Sequence, residues 1–236
     1  MPKALNNSSH AWMPADCSDA VKQTAIMIYK TFKGEGSGHD WWHIYRVWMN
    51  TRSLLTEEGI IRQNEVELAE ISALLHDIAD HKFHDGDDTV GPEMAYNWCM
   101  KNLNWPVEQA EQVKKIVANI SFKGIGVQEV MEDYLGKIVQ DADRLDAIGA
   151  IGIARTFAYG GFVKQPIHDP EISPTFHQSF EAYKKERSTT YNHFYEKLLF
   201  LKDRMHTKSG KKIAEKRTDY MIAYLQTFRE EWAGLK

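Results

Sequence analysis

Three apolar stretches of this 236-residue sequence each contain ionisable side chains. A buried carboxylate is costly unless it is paired or bound to a cation. Two neutral imidazoles and two carboxylates suit a divalent transition metal, and they leave coordination positions open for water and a substrate oxygen. Such a metal would lower the pKa of its water and polarise a phosphoryl group. The candidate ligands are His43 in DWWHIYRVW, His76 and Asp77 after AEISALL, and Asp143 in IVQDADRLDAIGAIG.

Each of these residues also has an ordinary structural interpretation. A single histidine in a Trp-rich segment, such as His43, is more typical of a protein core, and an isolated HD dipeptide is common. Asp141 and Asp143 could belong to a solvated helix face, although apolar residues surround them. The combination of a His in one helix, an HD pair at the end of a second and an Asp in a third is more specific than its parts. Either aspartate satisfies this pattern.

The segments that contain these residues have helical periodicity, and the period-two alternation of strands is essentially missing. The sequence therefore predicts an all-α single domain of about seven to nine helices over residues 16–236. Residues 1–15 are polar and aperiodic, which indicates a flexible leader. We expect Asp40 and Asn64 to cap the helices that lead to the first histidine and the HD pair. The stretch 134–161 predicts one long apolar helix.

Composition excludes several classes of protein. The formal net charge of -4 provides no general attraction to nucleic acid or to an anionic membrane. Cys17 and Cys99 have neither the spacing of a zinc site nor that of a disulfide scaffold. The N-terminal segment lacks the apolar core of a signal peptide, and no apolar run reaches the roughly 18 residues of a membrane span. We therefore expect a cytoplasmic protein with no nucleic-acid or membrane partner.

The ordered pattern H…HD…D resembles that of the HD superfamily of metal-dependent phosphohydrolases, with His43, His76, Asp77 and Asp143 at its four positions. The segments HDWWHIYRVW, LLHDIADHKF, DADRLDAIGAIGIARTF and FYEKLLFLKDRM are further similar to the bacterial YpgQ-type HD hydrolases. Because ADRL resembles the ADxL segment of that family, the resemblance favours Asp143 over Asp141 as the fourth ligand. It implies an HD-domain helical bundle with one divalent metal ion. Mn²⁺ is favoured, and Fe²⁺, Zn²⁺, Co²⁺, Ni²⁺ and Mg²⁺ are alternatives.

The same resemblance implies an activity. It indicates hydrolysis of nucleoside or deoxynucleoside triphosphates to the monophosphate and pyrophosphate by a metal-activated water. A 5'-nucleotidase-like phosphatase of nucleoside monophosphates is one alternative, and a non-catalytic metal-bearing module that senses nucleotides is another. We expect a small-molecule nucleotide as the partner, with homodimer formation left open.

Other polar residues near these ligands are candidates for catalysis and phosphate binding. Asp80 lies four residues after His76, on the same face of a helix, and the resemblance suggests it as a general acid or base. Arg46 and Lys82 are the nearest cations for phosphate charge, and Lys123 in SFKG is a further candidate. Each of the four could instead make an ordinary surface pair, turn or helix cap.

Two further residues follow from positions along the predicted long helix. Arg155 lies twelve residues after Asp143, which places it about 18 Å away along a straight helix, where it would bind the far end of a substrate. It could also simply pair with an acidic neighbour. Asp146 lies three residues after Asp143 and is predicted to hold Arg46 or a ligand imidazole in place.

Overall fold

The structure is a computed structural model that describes residues 10–34, 40–79, 87, 89–120, 130–175 and 188–235. These residues form nine α-helices, one 3-10 helix and no strand, which confirms the predicted all-α domain. None of these helices is long and apolar enough to cross a bilayer. The elements are α1 (Asp19–Phe32), α2 (Trp41–Glu57), α3 (Gln63–Leu75), α4 (Val90–Asn102), α5 (Val107–Asn119), α6 (Tyr134–Asp146), α7 (Gly149–Phe162), α8 (Thr190–Glu196), the 3-10 helix (Leu198–Arg204) and α9 (Lys208–Trp232).

Helix α3 lies at the centre of the fold because its C-terminal half is apolar on nearly all sides. Every residue from Leu68 to Leu75 is buried, as expected for a helix without a polar face. Helices α2 and α6 pack against α3 and against each other. The C-terminal end of α3, the first turn of α2 and the later turns of α6 therefore surround one common point in the core.

The start of α2 follows the predicted cap, whereas the start of α3 does not. The side chain of Asp40 accepts a hydrogen bond from the backbone N–H of His43 at 2.9 Å, which satisfies one of the free donors at the helix start. Helix α3 begins at Gln63 after Arg62, without a side-chain cap. The prediction of Asn64 as the cap is wrong, because Asn64 lies inside the first turn of the helix.

The N-terminal segment assigned from sequence to a flexible leader, 1–15, is packed in its described part. In residues 10–15 the indole ring of Trp12 lies 4.4 Å from the ring of Trp41 and 5.2 Å from that of Tyr29, between centroids. Tilted aromatic pairs at this distance add stabilisation beyond their buried area. The helical domain therefore includes these residues in its aromatic packing.

The predicted long helix over 134–161 is two helices. Helix α6 ends at Asp146, Ile148 is extended with φ −126° and ψ 165°, and Gly149 starts α7 with φ +78°. Only glycine adopts that left-handed conformation without strain. Because Ile148 is fully buried at the break, the chain keeps an apolar anchor there while α7 takes a new direction.

Both cysteines of the chain, Cys17 and Cys99, are free and buried. Burial raises the pKa of the Cys17 thiol to about 11 and that of the Cys99 thiol to about 12. Neither thiol therefore carries thiolate at neutral pH, and both serve as small apolar residues of the core.

Candidate metal centre

Three helices bring the four predicted ligands together. His43 lies in the first turn of α2, His76 and Asp77 follow the end of α3, and Asp143 lies on α6. The two imidazoles are almost wholly buried, with 2% of each side chain exposed, whereas the Asp77 and Asp143 side chains are 17% and 30% exposed. The imidazoles thus form the floor of a site that opens to solvent between the carboxylates.

The distances between the four side chains suit a single ion. The Nε2 atoms of His43 and His76 are 3.3 Å apart. The Asp77 Oδ2 atom lies 3.4 and 3.5 Å from these two nitrogens, and the Asp143 Oδ1 atom lies 3.6 and 3.9 Å from them. Atoms bound about 2.0–2.2 Å from one metal ion lie about 3–3.5 Å from each other. Each carboxylate oxygen together with the two imidazole nitrogens is therefore close to the spacing of a one-metal coordination shell, and the atoms of His43, His76 and Asp143 all lie within 4.8 Å of one another.

Hydrogen bonds on the far side of each imidazole orient both rings toward this point. The Nδ1 atom of His76 lies 2.7 Å from the backbone carbonyl oxygen of Ala73, and that of His43 lies 2.8 Å from Asp146 Oδ2. Because both partners only accept, each Nδ1 carries a proton, and each Nε2 is the nitrogen left to bind a proton or a metal ion at the cluster. Two such nitrogens beside two carboxylate oxygens form a donor set that fits a divalent cation.

Electrostatics agree with a site that attracts positive charge. Burial lowers the pKa of His43, but its hydrogen bonds to Asp146 and Asp77 outweigh burial and raise this pKa to about 9. The cluster therefore binds a proton strongly at the same place where its geometry suits a metal ion. Proton and metal compete for one set of ligand atoms.

Asp146 connects this centre to two arginines. Its side chain is almost completely buried, and Oδ2 accepts hydrogen bonds from His43 Nδ1 at 2.8 Å, Arg155 Nη1 at 2.9 Å and Arg46 Nη2 at 3.0 Å. Its other oxygen accepts one from Arg46 Nε at 2.6 Å. Burial raises the pKa of Asp146, but hydrogen bonds from His43 and Arg46 hold it well below its usual range. The sequence predicted an arginine or an imidazole here, and the structure has both.

Asp141, the alternative fourth ligand, is engaged elsewhere. Its fully buried carboxylate accepts hydrogen bonds from the backbone N–H of His206 at 2.9 Å and from the N–H and Oγ1 of Thr207 at 2.8 and 2.7 Å. Residues two apart on a helix point about 200° away from each other. Asp141 and Asp143 therefore serve opposite sides of α6, and only Asp143 lies beside the imidazoles of His43 and His76.

Arg155 is much nearer to the centre than the sequence indicated. The prediction of a distance of about 18 Å assumed one straight helix. The break at Gly149 reverses this expectation, because it turns α7 so that Arg155 Nη1 contacts the side chain of Asp146 and lies 3.3 Å from its backbone oxygen. The pairing with an acidic neighbour, which the sequence left open, is therefore present, and it depends on the direction of α7 after the break.

Three of the predicted site residues, Asp80, Lys82 and Lys123, lie outside the residues that the structure describes. Their roles stay predictions. One contact that sequence reasoning missed did have a local signal. The Ala73 carbonyl is three residues before His76, which is the usual spacing for a side chain that bonds back to its own helix.

Known proteins are similar to this chain in sequence and fold. The family model of the HD domain matches residues 41–148, a range that includes all four residues predicted as metal ligands. The YpgQ protein of Bacillus subtilis (strain 168) is 31% identical over 218 residues, which cover 91% of this chain and 95% of YpgQ. A crystal structure of YpgQ was solved in complex with ADP, and it matches with a TM-score of 0.69 over 92% of this chain and 100% of that one, at 30% identity.

Two further crystal structures are similar over almost their whole length. A protein from Lactobacillus plantarum matches with a TM-score of 0.77 and 32% identity, over 92% of this chain and 99% of its own. An HD-superfamily hydrolase from Bacillus thuringiensis matches with a TM-score of 0.68 and 38% identity, over 90% and 96% of the two chains. With its clustered histidines and aspartates, this chain belongs to the HD superfamily of metal-dependent phosphohydrolases.

Proposed function

We propose that this protein is a nucleotide pyrophosphohydrolase, which converts nucleoside or deoxynucleoside triphosphates to the monophosphate and pyrophosphate. The observation that carries the proposal is the cluster of donor atoms from His43, His76, Asp77 and Asp143, beside a partly buried pair of arginines. The complex of the similar protein YpgQ with ADP supports a nucleotide as the ligand. A polyphosphate has the negative charge that a metal ion and arginines together can bind.

We assign His43, His76, Asp77 and Asp143 as ligands of one divalent ion, with Mn²⁺ favoured over Fe²⁺, Zn²⁺, Co²⁺, Ni²⁺ and Mg²⁺. When bound, the ion supplies the charge that lowers the pKa of a water molecule and polarises a phosphoryl oxygen. The two neutral imidazoles and two carboxylates balance the charge of a divalent ion. The partly exposed carboxylates lie on the side from which a substrate enters.

Other residues of the chain handle the proton and the phosphate charge. Hydrolysis forms a bond from the water oxygen to phosphorus, breaks the bond from phosphorus to the leaving pyrophosphate, and transfers one proton. We propose Asp80 as the general acid or base for that proton. Arg46 and Arg155 are proposed to bind phosphate oxygens. Their guanidinium nitrogens contact the same Asp146 oxygen at 3.0 and 2.9 Å, so they lie within about 6 Å of each other.

Lys82 and Lys123 are proposed to add positive charge on the remaining sides of the phosphates. The proposed ligand is a free nucleotide, and the formal net charge of -4 provides no general attraction to nucleic acid. Homodimer formation and a cytoplasmic setting stay predictions from the sequence.

A product assay tests the proposal. Purified protein is stripped of metal, given Mn²⁺ alone or with excess chelator, and incubated with a panel of nucleoside and deoxynucleoside triphosphates. We expect Mn²⁺-dependent release of pyrophosphate and monophosphate, and none from the Asp143→Asn variant. Release of inorganic phosphate from monophosphates would instead indicate a phosphatase. Tight binding of metal and nucleotide without any turnover would indicate a sensing module.

A further inference from the structure

The carboxylate of Asp146 joins charged side chains from three helices. It is the last residue of α6, and its partners are His43 and Arg46 on α2 and Arg155 on α7. We propose that Asp146 is a positioning residue that sets the His43 imidazole for metal binding and holds Arg46 and Arg155 as a pair at the edge of the metal centre. This role rests on the proposed metal site.

The first part concerns the imidazole. A carboxylate oxygen 2.8 Å from His43 Nδ1 requires the proton on that nitrogen, so the Nε2 lone pair faces the cluster. The ring plane is fixed as well, since His43 is almost wholly buried. Loss of a group that hydrogen-bonds a metal-binding histidine typically lowers metal affinity about 10- to 100-fold. Asp146 is thus placed to control metal binding without contacting the metal.

The second part concerns the arginines. Arg46 donates to both oxygens of Asp146, through Nε at 2.6 Å and Nη2 at 3.0 Å, and Arg155 donates to Oδ2 at 2.9 Å. Two guanidinium groups therefore donate to one carboxylate, which holds them side by side. The two arginine side chains are 30% and 23% exposed. They lie beyond the Nδ1 edge of the His43 ring, whereas the proposed metal ion lies at its Nε2 edge.

A purely structural interpretation explains only part of these contacts. Arg155 also reaches the backbone oxygen of Asp146, and Arg217 donates to the backbone oxygen of Leu145. Both contacts satisfy carbonyl groups at the C-terminus of α6, where cations are favourable. Helix capping does not explain His43 and Arg46, because both bind the side-chain oxygens of Asp146. The Asp146 side chain therefore has a role other than capping the C-terminus of α6.

The test compares Asp146→Asn with Asp141→Asn, a matched change of a buried carboxylate on the same helix. Metal-stripped full-length proteins are titrated with Mn²⁺ by calorimetry, below the unfolding midpoint of each variant. We expect Asp146→Asn to weaken Mn²⁺ binding about 10- to 100-fold, Asp146→Glu to recover part of that loss, and Asp141→Asn to stay within about twofold of wild type. Equal Mn²⁺ affinity in wild type and Asp146→Asn overturns the proposal.

A second measurement needs no variant and decides the matter if Asp146→Asn does not fold. Wild-type protein loaded with diamagnetic Zn²⁺ is labelled with ¹⁵N-histidine, and the ring nitrogens of His43 are assigned by NMR. We expect a protonated Nδ1 and a metal-bound Nε2. A proton on Nε2, or a metal on Nδ1, overturns the proposal.

A separate measurement tests the role of Asp146 toward the arginine pair. It determines how tightly the protein binds inorganic pyrophosphate when it is saturated with Zn²⁺. Asp146→Asn removes a negative charge, so electrostatics alone would strengthen pyrophosphate binding. If Asp146 positions Arg46 and Arg155, binding weakens at least about fivefold despite the lost charge, and stronger binding overturns this part. Neither metal affinity, ring protonation nor pyrophosphate binding requires turnover. Failure of triphosphate hydrolysis would therefore refute the proposed function and leave this inference standing.

Discussion

Helix α6 contains two buried carboxylates, Asp141 and Asp146, whose surroundings differ. Asp141 accepts hydrogen bonds from neutral donors, the backbone N–H groups and hydroxyl at the start of α9. Asp146 accepts hydrogen bonds from two guanidinium groups and an imidazole. The first carboxylate connects two helices, and the second lies behind a candidate metal centre. Burial alone therefore does not reveal the role of an acidic residue, whereas the chemistry of its partners does.

The difference also has an energetic side. A buried cluster of charged groups contributes little net stability, because the cost of desolvation offsets much of the attraction. Hydrogen bonds from neutral donors to a buried carboxylate, as at Asp141, contribute more reliably to the folded state. Asp143 lies between the two residues along the helix and is partly exposed beside the imidazoles. Removing one member of such a cluster is nevertheless destabilising, because its partners keep their buried charges. We therefore expect substitutions at Asp141 and Asp146 to lower stability, and substitutions at Asp143 and Asp146, but not at Asp141, to change metal binding and activity.

The largest effect should separate Asp143 from Asp141. Asp143→Asn removes a proposed metal ligand, so kcat/KM for triphosphate hydrolysis should fall by more than about 100-fold. That value is the upper end of the loss seen when a residue that only hydrogen-bonds a metal ligand is changed. Asp141→Asn, assayed at a temperature where it is folded, should change kcat/KM by less than about threefold. Steady-state kinetics with Mn²⁺ measure both. Comparable losses in the two variants would show that the comparison of their roles is wrong.

Added Mn²⁺ should stabilise the folded protein, and this stabilisation should depend on Asp143 and not on Asp141. At Mn²⁺ concentrations about 100 times the dissociation constant, binding contributes about 2.7 kcal/mol to the free energy of unfolding. For a chain of this length that raises Tm by about 5–10 °C. Differential scanning fluorimetry with Mn²⁺ or with chelator measures the shift. Asp141→Asn should keep the shift and Asp143→Asn should lose it, and a shift that survives in Asp143→Asn would point to metal binding elsewhere.

Asp141→Asn should reduce stability itself. The change removes the charge from a buried acceptor of backbone and hydroxyl donors, which costs about 1–3 kcal/mol. The expected decrease in Tm is about 2–12 °C, measured by circular dichroism in the presence of chelator. Asp143→Asn serves as the control, because its more exposed side chain should change Tm by less than about 2 °C under the same conditions. A Tm for Asp141→Asn equal to that of wild type would show that its contacts at the start of α9 do not stabilise the fold.

The smallest effect should come from the partner of Asp141 on the other helix. Thr207 caps α9 by accepting from the N–H of Gly210, and its hydroxyl donates to Asp141. Thr207→Ala should cost about 1 kcal/mol, or about 2–4 °C in Tm, while Thr207→Ser keeps the hydroxyl and most of the stability. Mn²⁺ affinity should be the same in both variants. A change of Mn²⁺ affinity in Thr207→Ala would indicate that the two sides of α6 are coupled.

Several features of the site were predictable because their signals are local. A His in the first turn of a capped helix, and an HD pair directly after an apolar run, place His43, His76 and Asp77 at helix ends by short-range rules alone. The helix cap at Asp40 is another feature that short-range rules predict, and it is present in the structure. The choice of Asp143 came from a resemblance, since the residues around Asp141 have the same apolar character.

Other features were not predictable because they depend on long-range packing. Helix α3 begins among exposed residues at Gln63, one residue before the predicted cap, so the prediction of Asn64 as the cap is wrong. The break at Gly149 looks like one more small residue in an apolar helix, so the sequence left open whether Arg155 would pair with an acidic neighbour or bind substrate far from Asp143. Trp12 is in a polar segment, and only its partners show that it belongs to the aromatic packing.

The sequence by itself determined that the chain is helical and which residue types can form a metal site. Such properties depend on side chains three or four positions apart, which interact in any helix of this composition. The sequence predicted that Asp146 holds Arg46 or a ligand imidazole, but only the tertiary structure decided that it binds His43, 103 positions away, as well as Arg46. Only the tertiary structure decided, too, that Asp141 binds His206, 65 positions away. The physical reason is that hydrogen bonds form between groups close in space. For residues so distant in sequence, the packing of α2, α6 and α9 alone determines that closeness.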